Sequence, residues 1–78
     1  MSDFPSMKSR KFLAILFREP LNYYIVSQRG SHRKLKSKSY PTIQYCFHNS
    51  REVSGIEIKK ILITVIGLTL EQGLELIR

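Results

Sequence analysis

Residues 23–38 read YYIVSQRGSHRKLKSK, and this stretch decides the fold. The part from Tyr23 to Arg29 is rich in aromatic and β-branched residues, which favour a β-strand. Gly30-Ser31 then fits a two-residue turn of type II′, after which His32 to Lys38 returns as a second strand. The stretch therefore predicts a β-hairpin with its tip at Gly30-Ser31.

The tight turn also predicts the register of the two strands. The expected cross-strand pairs are Arg29 with His32, Gln28 with Arg33, Ser27 with Lys34 and Val26 with Leu35. Since side chains alternate along a strand, Tyr24, Val26 and Leu35 share an apolar face. The opposite face carries Tyr23, Ile25, Arg29, His32, Lys34 and Lys36. The hairpin thus separates a core side from a basic side that includes an imidazole.

The flanking segments indicate a sandwich around this hairpin. Lys8 to Glu19 has a helical apolar stripe, with Ser9 as N-cap, Pro20 as terminator and Asn22 in the turn that follows. Thr42 to His48 alternates as a third strand. Ile56 to Ile66 has strand propensity, but an apolar stripe of Ile58, Ile61, Leu62 and Val65, followed by Gly67, favours a helix. Thr69 caps a last short helix. We therefore predict an α+β fold, a three-stranded antiparallel sheet with helices on one face and the other face open.

The length and composition of the chain limit the number of domains and the kinds of protein it can be. The 78 residues fit one small domain over residues 7–78, preceded by a disordered extension over residues 1–6. Met7 is a candidate for the start in place of Met1, and one sequence does not decide between them. A single cysteine, Cys46, excludes an internal disulfide and favours a reducing cytoplasm. No apolar stretch reaches the ~18 residues of a membrane-spanning helix.

Positive charge is concentrated in the first half of the chain. The net charge is +7, and residues 1–40 hold nine Lys or Arg against two acids, whereas residues 41–78 hold four of each. Five of the basic residues lie between Arg29 and Lys38 with no acid among them. Such clustering favours binding of a polyanion, and a merely solubilising surface is the alternative.

His32 is the candidate for chemistry in this basic hairpin. An imidazole transfers protons near neutral pH, and RNA cleavage needs a base for the 2′-OH and an acid for the leaving 5′-oxygen. The alternative is that His32 only contacts phosphate. The candidate RNA contacts are Arg29, Ser31, Arg33, Lys34 and Lys36, and Tyr23 either stacks on a base or packs under the sheet edge.

The remaining reactive residues indicate a metal-free site. His32, Cys46 and His48 are a poor set of zinc ligands, so no metal or cofactor is expected. Cys46 lies in an apolar run and reads as a small buried residue. His48 either completes an acid–base pair with His32 or bonds to backbone at the end of its strand.

The motif residues resemble those of the HicA toxins of bacterial and archaeal toxin–antitoxin pairs. The matching residues are Lys8-Ser9-Arg10-Lys11 and the run Val26 to Lys34, with Gly30-Ser31-His32 at its centre. His48 and Gly67-Leu68-Thr69-Leu70-Glu71 also resemble the family, whereas Cys46-Phe47-His48 stands where many members have Pro-x-His.

This resemblance implies a double-stranded-RNA-binding-like α-β-β-β-α fold and ribosome-independent cleavage of mRNA. It implies His32 as the catalytic residue and a HicB-type antitoxin that masks the site. Three hypotheses follow for the function: an RNA-cleaving toxin, a non-catalytic RNA-binding module, or a protein-interaction domain with an acidic partner.

Overall fold

The computed structural model describes residues 4–30, 32–46 and 51–78, and it is an α+β sandwich. Helix α1 (Ser9–Phe17) is followed by the strands β2 (Tyr24–Arg29), β3 (His32–Lys36) and β4 (Ile43–Cys46). These strands form an antiparallel sheet in the order β2-β3-β4. Helix α2 (Gly55–Lys59) continues as a π-helical segment (Lys60–Val65), and helix α3 (Leu70–Ile77) follows. The predicted α-β-β-β-α arrangement is confirmed.

The core lies between the sheet and the helices. Leu35 and Ile43 of the sheet and Phe12 and Leu16 of α1 are 2 % exposed or less. Ile58 of α2 is fully buried as well. Leu35 and Ile43 are buried on the helical side of the sheet, and the other side of the sheet stays open. None of the described helices is long and apolar enough to cross a membrane.

A second, two-stranded sheet joins the segment before α1 to the segment before α2. Strand β1 (Met7–Lys8) pairs antiparallel with β5 (Glu52–Val53), Met7 opposite Val53. The prediction of Ser9 as the N-cap of α1 is wrong, since Lys8 occupies that position. Ser9 instead donates both its N–H and its hydroxyl to the carbonyl oxygen of Arg51, each at 3.0 Å. Both bonds tie the start of α1 to the segment that enters β5.

The N-terminal segment is packed as far as the structure describes it. Phe4 is 7 % exposed, and its ring lies against Gly73 of α3. Gly55 lies so close to the carbonyl oxygen of Phe4 that a Cβ there would overlap it. Of the extension predicted over residues 1–6, the structure describes residues 4–6, in which Phe4 is buried and Pro5 and Ser6 are exposed.

The helix predicted over Ile56 to Ile66 exists, but its buried stripe changes phase. Ile58, Ile61 and Leu62 are buried as predicted, whereas Val65 is 38 % exposed and Ile66 is 5 % exposed in its place. The reason is the π-helical segment, in which the N–H of Ile66 bonds to the carbonyl of Ile61, five residues back. The wider turn moves the next inward position one residue along the chain.

Local turn and cap signals agree with the structure, whereas α1 ends at Phe17 and not at the predicted Glu19, and β3 ends at Lys36 and not at the predicted Lys38. Asn22 adopts a left-handed conformation (φ 50°) in the turn after α1. Gly67 has φ +92° directly after the π-helical segment, a conformation in which a Cβ is strained. Thr69 caps α3 in a reciprocal capping box with Gln72, with donor–acceptor distances of 2.9 and 3.1 Å.

Candidate nucleic-acid interface

The open face of the sheet is organised by the cross-strand pairs of β2, β3 and β4. Arg29 pairs with His32, and His32 pairs with Cys46 on its other side. Gln28 pairs with Arg33, and Ser27 with Lys34, as the turn predicted. Gly30 has φ +61°, which both primed hairpin turns require at their first central residue. Ser31 lies outside the described residues, so the predicted type II′ turn and the predicted Ser31 contact stay predictions.

Two rows of polar side chains lie across the open face near the hairpin tip. The first row contains Arg29, His32 and Cys46, and neighbours in such a row have Cβ atoms about 4.5–5.5 Å apart. The second row contains Ser27, Lys34 and Gln44. Arg29 and His32 are exposed and Lys34 is half-buried. The structure therefore brings together the imidazole and two of the predicted cations.

A β-bulge changes the far end of this face. The register shifts between Ile25 and Ser27, so that Leu35 pairs with Ile25 and not with Val26 as predicted. Because one extra residue reverses the alternation, Tyr24 pairs with Lys36 on the basic face and Tyr23 turns to the core. Tyr23 is 3 % exposed and Tyr24 is 51 % exposed. The predicted assignment of Tyr23 and Ile25 to the basic face, with Tyr24 on the apolar one, is wrong.

Tyr23 has a structural role on the buried side. Its hydroxyl donates a hydrogen bond of 2.6 Å to the carbonyl oxygen of Pro41 in the loop before β4. Burial, and secondarily the proximity of Tyr40, raises the pKa of Tyr23 to about 12. Of the two readings of Tyr23 from sequence, packing under the sheet is the one that the structure supports.

Arg33 differs from the other predicted RNA contacts. Its partners in the register are Gln28 and Tyr45, and its neighbour along the strand on the same side is the buried Leu35. Its Cβ therefore lies on the helix-facing side, and the side chain is half-buried. It nevertheless borders a cleft of about 370 Å³ that Arg29, His32 and Lys34 also line. No carboxylate is among the described residues that line this cleft.

A second cleft adjoins His32 on the side of β5 and α2. It has a volume of about 410 Å³ and is lined by His32, Cys46, Arg51, Glu52 and Glu57 among others. His32 thus lies where a cationic cleft and a mixed-charge cleft meet. Cys46, predicted as a buried residue, is half-buried and lines this cleft.

Sequence reasoning missed the carboxylates of this second cleft. Glu52 and Glu57 are 20 and 25 residues away from His32 along the chain, and no local pattern connects them. Glu52 reaches the cleft on β5, which pairs with β1, and Glu57 reaches it on the helix α2 that follows β5. His48 lies outside the described residues, and within those residues no group of three or more His, Cys, Asp or Glu could hold a metal ion.

Comparison with known proteins adds no relative. No model of a known protein family matches this chain, and no curated protein and no solved structure matches it either. The resemblance of Val26 to Lys34 to the HicA motif stays a prediction.

Proposed function

We propose that this chain binds RNA on the open face of its sheet and cleaves it, as the mRNA-cleaving toxin of a type II toxin–antitoxin pair of the HicA/HicB kind. One observation carries the proposal. An exposed imidazole, His32, lies beside Arg29 across the strand and two residues from Lys34 at the rim of a cationic cleft. Cations that bind phosphate and a group that transfers protons are the two requirements of RNA cleavage.

The proposed reaction is a transesterification within the RNA. The 2′-oxygen forms a bond to phosphorus, the bond from phosphorus to the 5′-oxygen breaks, and the products end in a 2′,3′-cyclic phosphate and a 5′-hydroxyl. His32 either takes the proton of the 2′-OH or gives one to the 5′-oxygen, a transfer worth roughly 10²–10⁴-fold in rate. Arg29 and Lys34 stabilise the negative charge of the phosphorane.

The reaction needs a second proton-transfer group, and the mixed-charge cleft offers two. Glu52 and Glu57 line the same cleft as His32, and both are exposed. In the proposed mechanism one of these carboxylates is the base that takes the proton of the 2′-OH, and His32 is the acid. We expect Glu57→Gln or Glu52→Gln to lower the cleavage rate without weakening RNA binding. Equal rates for both variants and the unchanged protein would exclude both carboxylates and leave His48 as the predicted partner.

A non-catalytic RNA-binding module is the second candidate function. It rests on the same exposed cationic face, with His32 as one more phosphate contact. The two candidates predict the same binding and different fates of the bound RNA.

The deciding experiment is incubation of purified protein with an unstructured RNA. We expect cleavage that persists in EDTA, that His32→Ala abolishes without loss of RNA binding, and that a 2′-deoxy substitution at the scissile position blocks. Intact RNA after long incubation, together with binding, would favour the non-catalytic module. Lack of both binding and cleavage would favour the protein-interaction domain.

An experiment in cells tests the toxin assignment and the proposed partner. Expression of the chain alone in the cytoplasm should arrest the growth of the cells, and expression of the His32→Ala variant should not. Co-expression of a HicB-type antitoxin encoded beside the toxin should restore growth. Equal toxicity of a folded His32→Ala variant would refute His32 as the catalytic residue.

A further inference from the structure

We propose that Tyr24 stacks on an unpaired RNA base, in a pocket at the end of the basic face remote from His32. This inference rests on the proposed RNA binding and names the substrate class, single-stranded RNA. Its starting point is the bulge at Val26, which moves Tyr24 onto the open face opposite Lys36. With 51 % of its surface exposed, Tyr24 offers an aromatic platform among cations.

A cavity next to Tyr24 gives the base a place to bind. Its volume is about 320 Å³, and it is lined by Tyr24, Asn22, Pro20, Leu21 and the residues Ser37 to Ser39. This size is at the lower end of the roughly 300–1,000 Å³ of small-molecule sites. An aromatic ring, an amide that donates and accepts, and a lysine are the groups that hold a base and its phosphate.

The walls of this cavity are held in place by the fold. The hydroxyl of Ser37 donates a 2.6 Å hydrogen bond to the carbonyl of Leu21, which joins the end of β3 to the turn after α1. The left-handed conformation of Asn22 (φ 50°) fixes the course of that turn. Because both walls are anchored, the pocket exists before a ligand binds, and stacking costs little ordering of the protein.

The distance between the pocket and His32 limits how many nucleotides separate the stacked base from the scissile phosphate. Lys36, opposite Tyr24, is four residues from His32 along β3, which is roughly 13 Å at 3.3 Å per residue. Charges along one strand of duplex DNA are about 3.4 Å apart, and at that spacing the stacked base lies about four nucleotides from the scissile phosphate. In a more extended single strand it lies closer. A base in a duplex cannot leave its stack without cost, whereas an unpaired base is available to an aromatic ring.

The test combines protein variants with single abasic sites in a short single-stranded RNA. Binding is measured in the His32→Ala background, so that the RNA stays intact. We expect Tyr24→Ala to weaken binding about five-fold or more and Tyr24→Phe to leave it within about two-fold, since a phenyl ring also stacks. Ile25→Ala removes a similarly exposed neighbour on the other side of the strand and should have no effect.

The abasic scan locates the contact. One abasic site within about four nucleotides of the cleavage position should weaken binding to the His32→Ala protein that keeps Tyr24. The same site should cost nothing further once Tyr24→Ala is added. Duplex RNA of the same sequence should bind independently of Tyr24. The scan with the unchanged tyrosine keeps the test decisive even if Tyr24→Ala does not fold.

The outcomes separate this inference from the proposed function. Protein that cleaves RNA with no dependence on Tyr24 or on any abasic position overturns the stacking pocket alone. Protein that neither binds nor cleaves RNA overturns both. Loss of an acidic protein partner, and not of RNA, on Tyr24→Ala would overturn the pocket and assign the face to protein recognition.

Discussion

The Tyr23→Phe substitution provides a sharp test of the packing beneath the sheet, because its effect changes sign with pH. At neutral pH the substitution removes the 2.6 Å hydrogen bond from the Tyr23 hydroxyl to the carbonyl of Pro41. A hydrogen bond of this kind contributes about 1 kcal/mol to the free energy of unfolding. Tyr23→Phe should therefore be less stable than the wild type by about 1 kcal/mol near pH 7.

At high pH the wild type loses this advantage. Tyr23 has a folded pKa of about 12 against the ordinary value of 10.0. A group whose pKa is raised by folding contributes stability below its unfolded pKa and loses it as the pH rises through the folded pKa. Two pKa units correspond to about 2.7 kcal/mol, of which about 1.4 kcal/mol is lost by pH 11. The phenylalanine variant should thus become the more stable protein above about pH 10.7.

The assay is urea unfolding, followed by circular dichroism, of both proteins from neutral pH to about pH 11.5. Deprotonation of lysines affects both proteins alike and cancels in the difference. Tyr24→Phe is the matched control, since it deletes the hydroxyl of a tyrosine that is 51 % exposed. A difference between wild type and Tyr23→Phe that stays constant over this range would refute the burial argument.

Three further outcomes are expected. Gly55→Ala should lower the free energy of unfolding by about 1.5–3 kcal/mol, because its Cβ displaces the Phe4 carbonyl and with it the buried ring. Lys34→Gln should reduce the steepness of the salt dependence of RNA binding, log affinity against log salt, by about 0.7. Thr69→Ala should cost about 1 kcal/mol of unfolding free energy, measured in urea, since it removes the capping box of α3.

Each of these expectations has a matched control. A chain that begins at Met7 lacks Phe4, so Gly55→Ala should cost little in that background, and an unchanged cost would contradict the clash. Lys59→Gln removes the same charge from the exposed surface of α2 and should leave the salt dependence unchanged. Thr64→Ala alters an exposed threonine within the π-helical segment, and a loss equal to that of Thr69→Ala would exclude the cap as the cause.

Much of the site followed from local sequence because a two-residue turn determines the register beside it. The pairs Arg29–His32, Gln28–Arg33 and Ser27–Lys34 are adjacent to Gly30, where few conformations join the strands. The prediction failed four residues from the turn, at Val26, because a bulge depends on how the whole sheet packs and carries no local signature here. As a result, the sequence analysis assigned Tyr23 and Tyr24 each to the wrong face of the sheet.

The sequence by itself determined the elements whose signals lie within a few residues. These are the basic hairpin, the cap of α3 at Thr69, the glycine stop at Gly67 and the concentration of charge in the first half. Short-range hydrogen bonds and backbone preferences are encoded locally, so neighbouring residues predicted these features. The cap predicted at Ser9 failed because the Ser9 hydroxyl bonds to the carbonyl of Arg51, 42 residues away.

Only the tertiary structure decided which distant groups share the surroundings of His32. The β1–β5 pair joins Met7 to Val53, 46 positions apart, and this pairing brings the Glu52 and Glu57 region to the cleft that His32 lines. Likewise, the bulge in β2 places Tyr24 on the basic face opposite Lys36. The six residues of β2 alone do not predict that bulge. Contacts of this kind depend on the packing of all layers together, and they have no counterpart in the order of neighbouring residues.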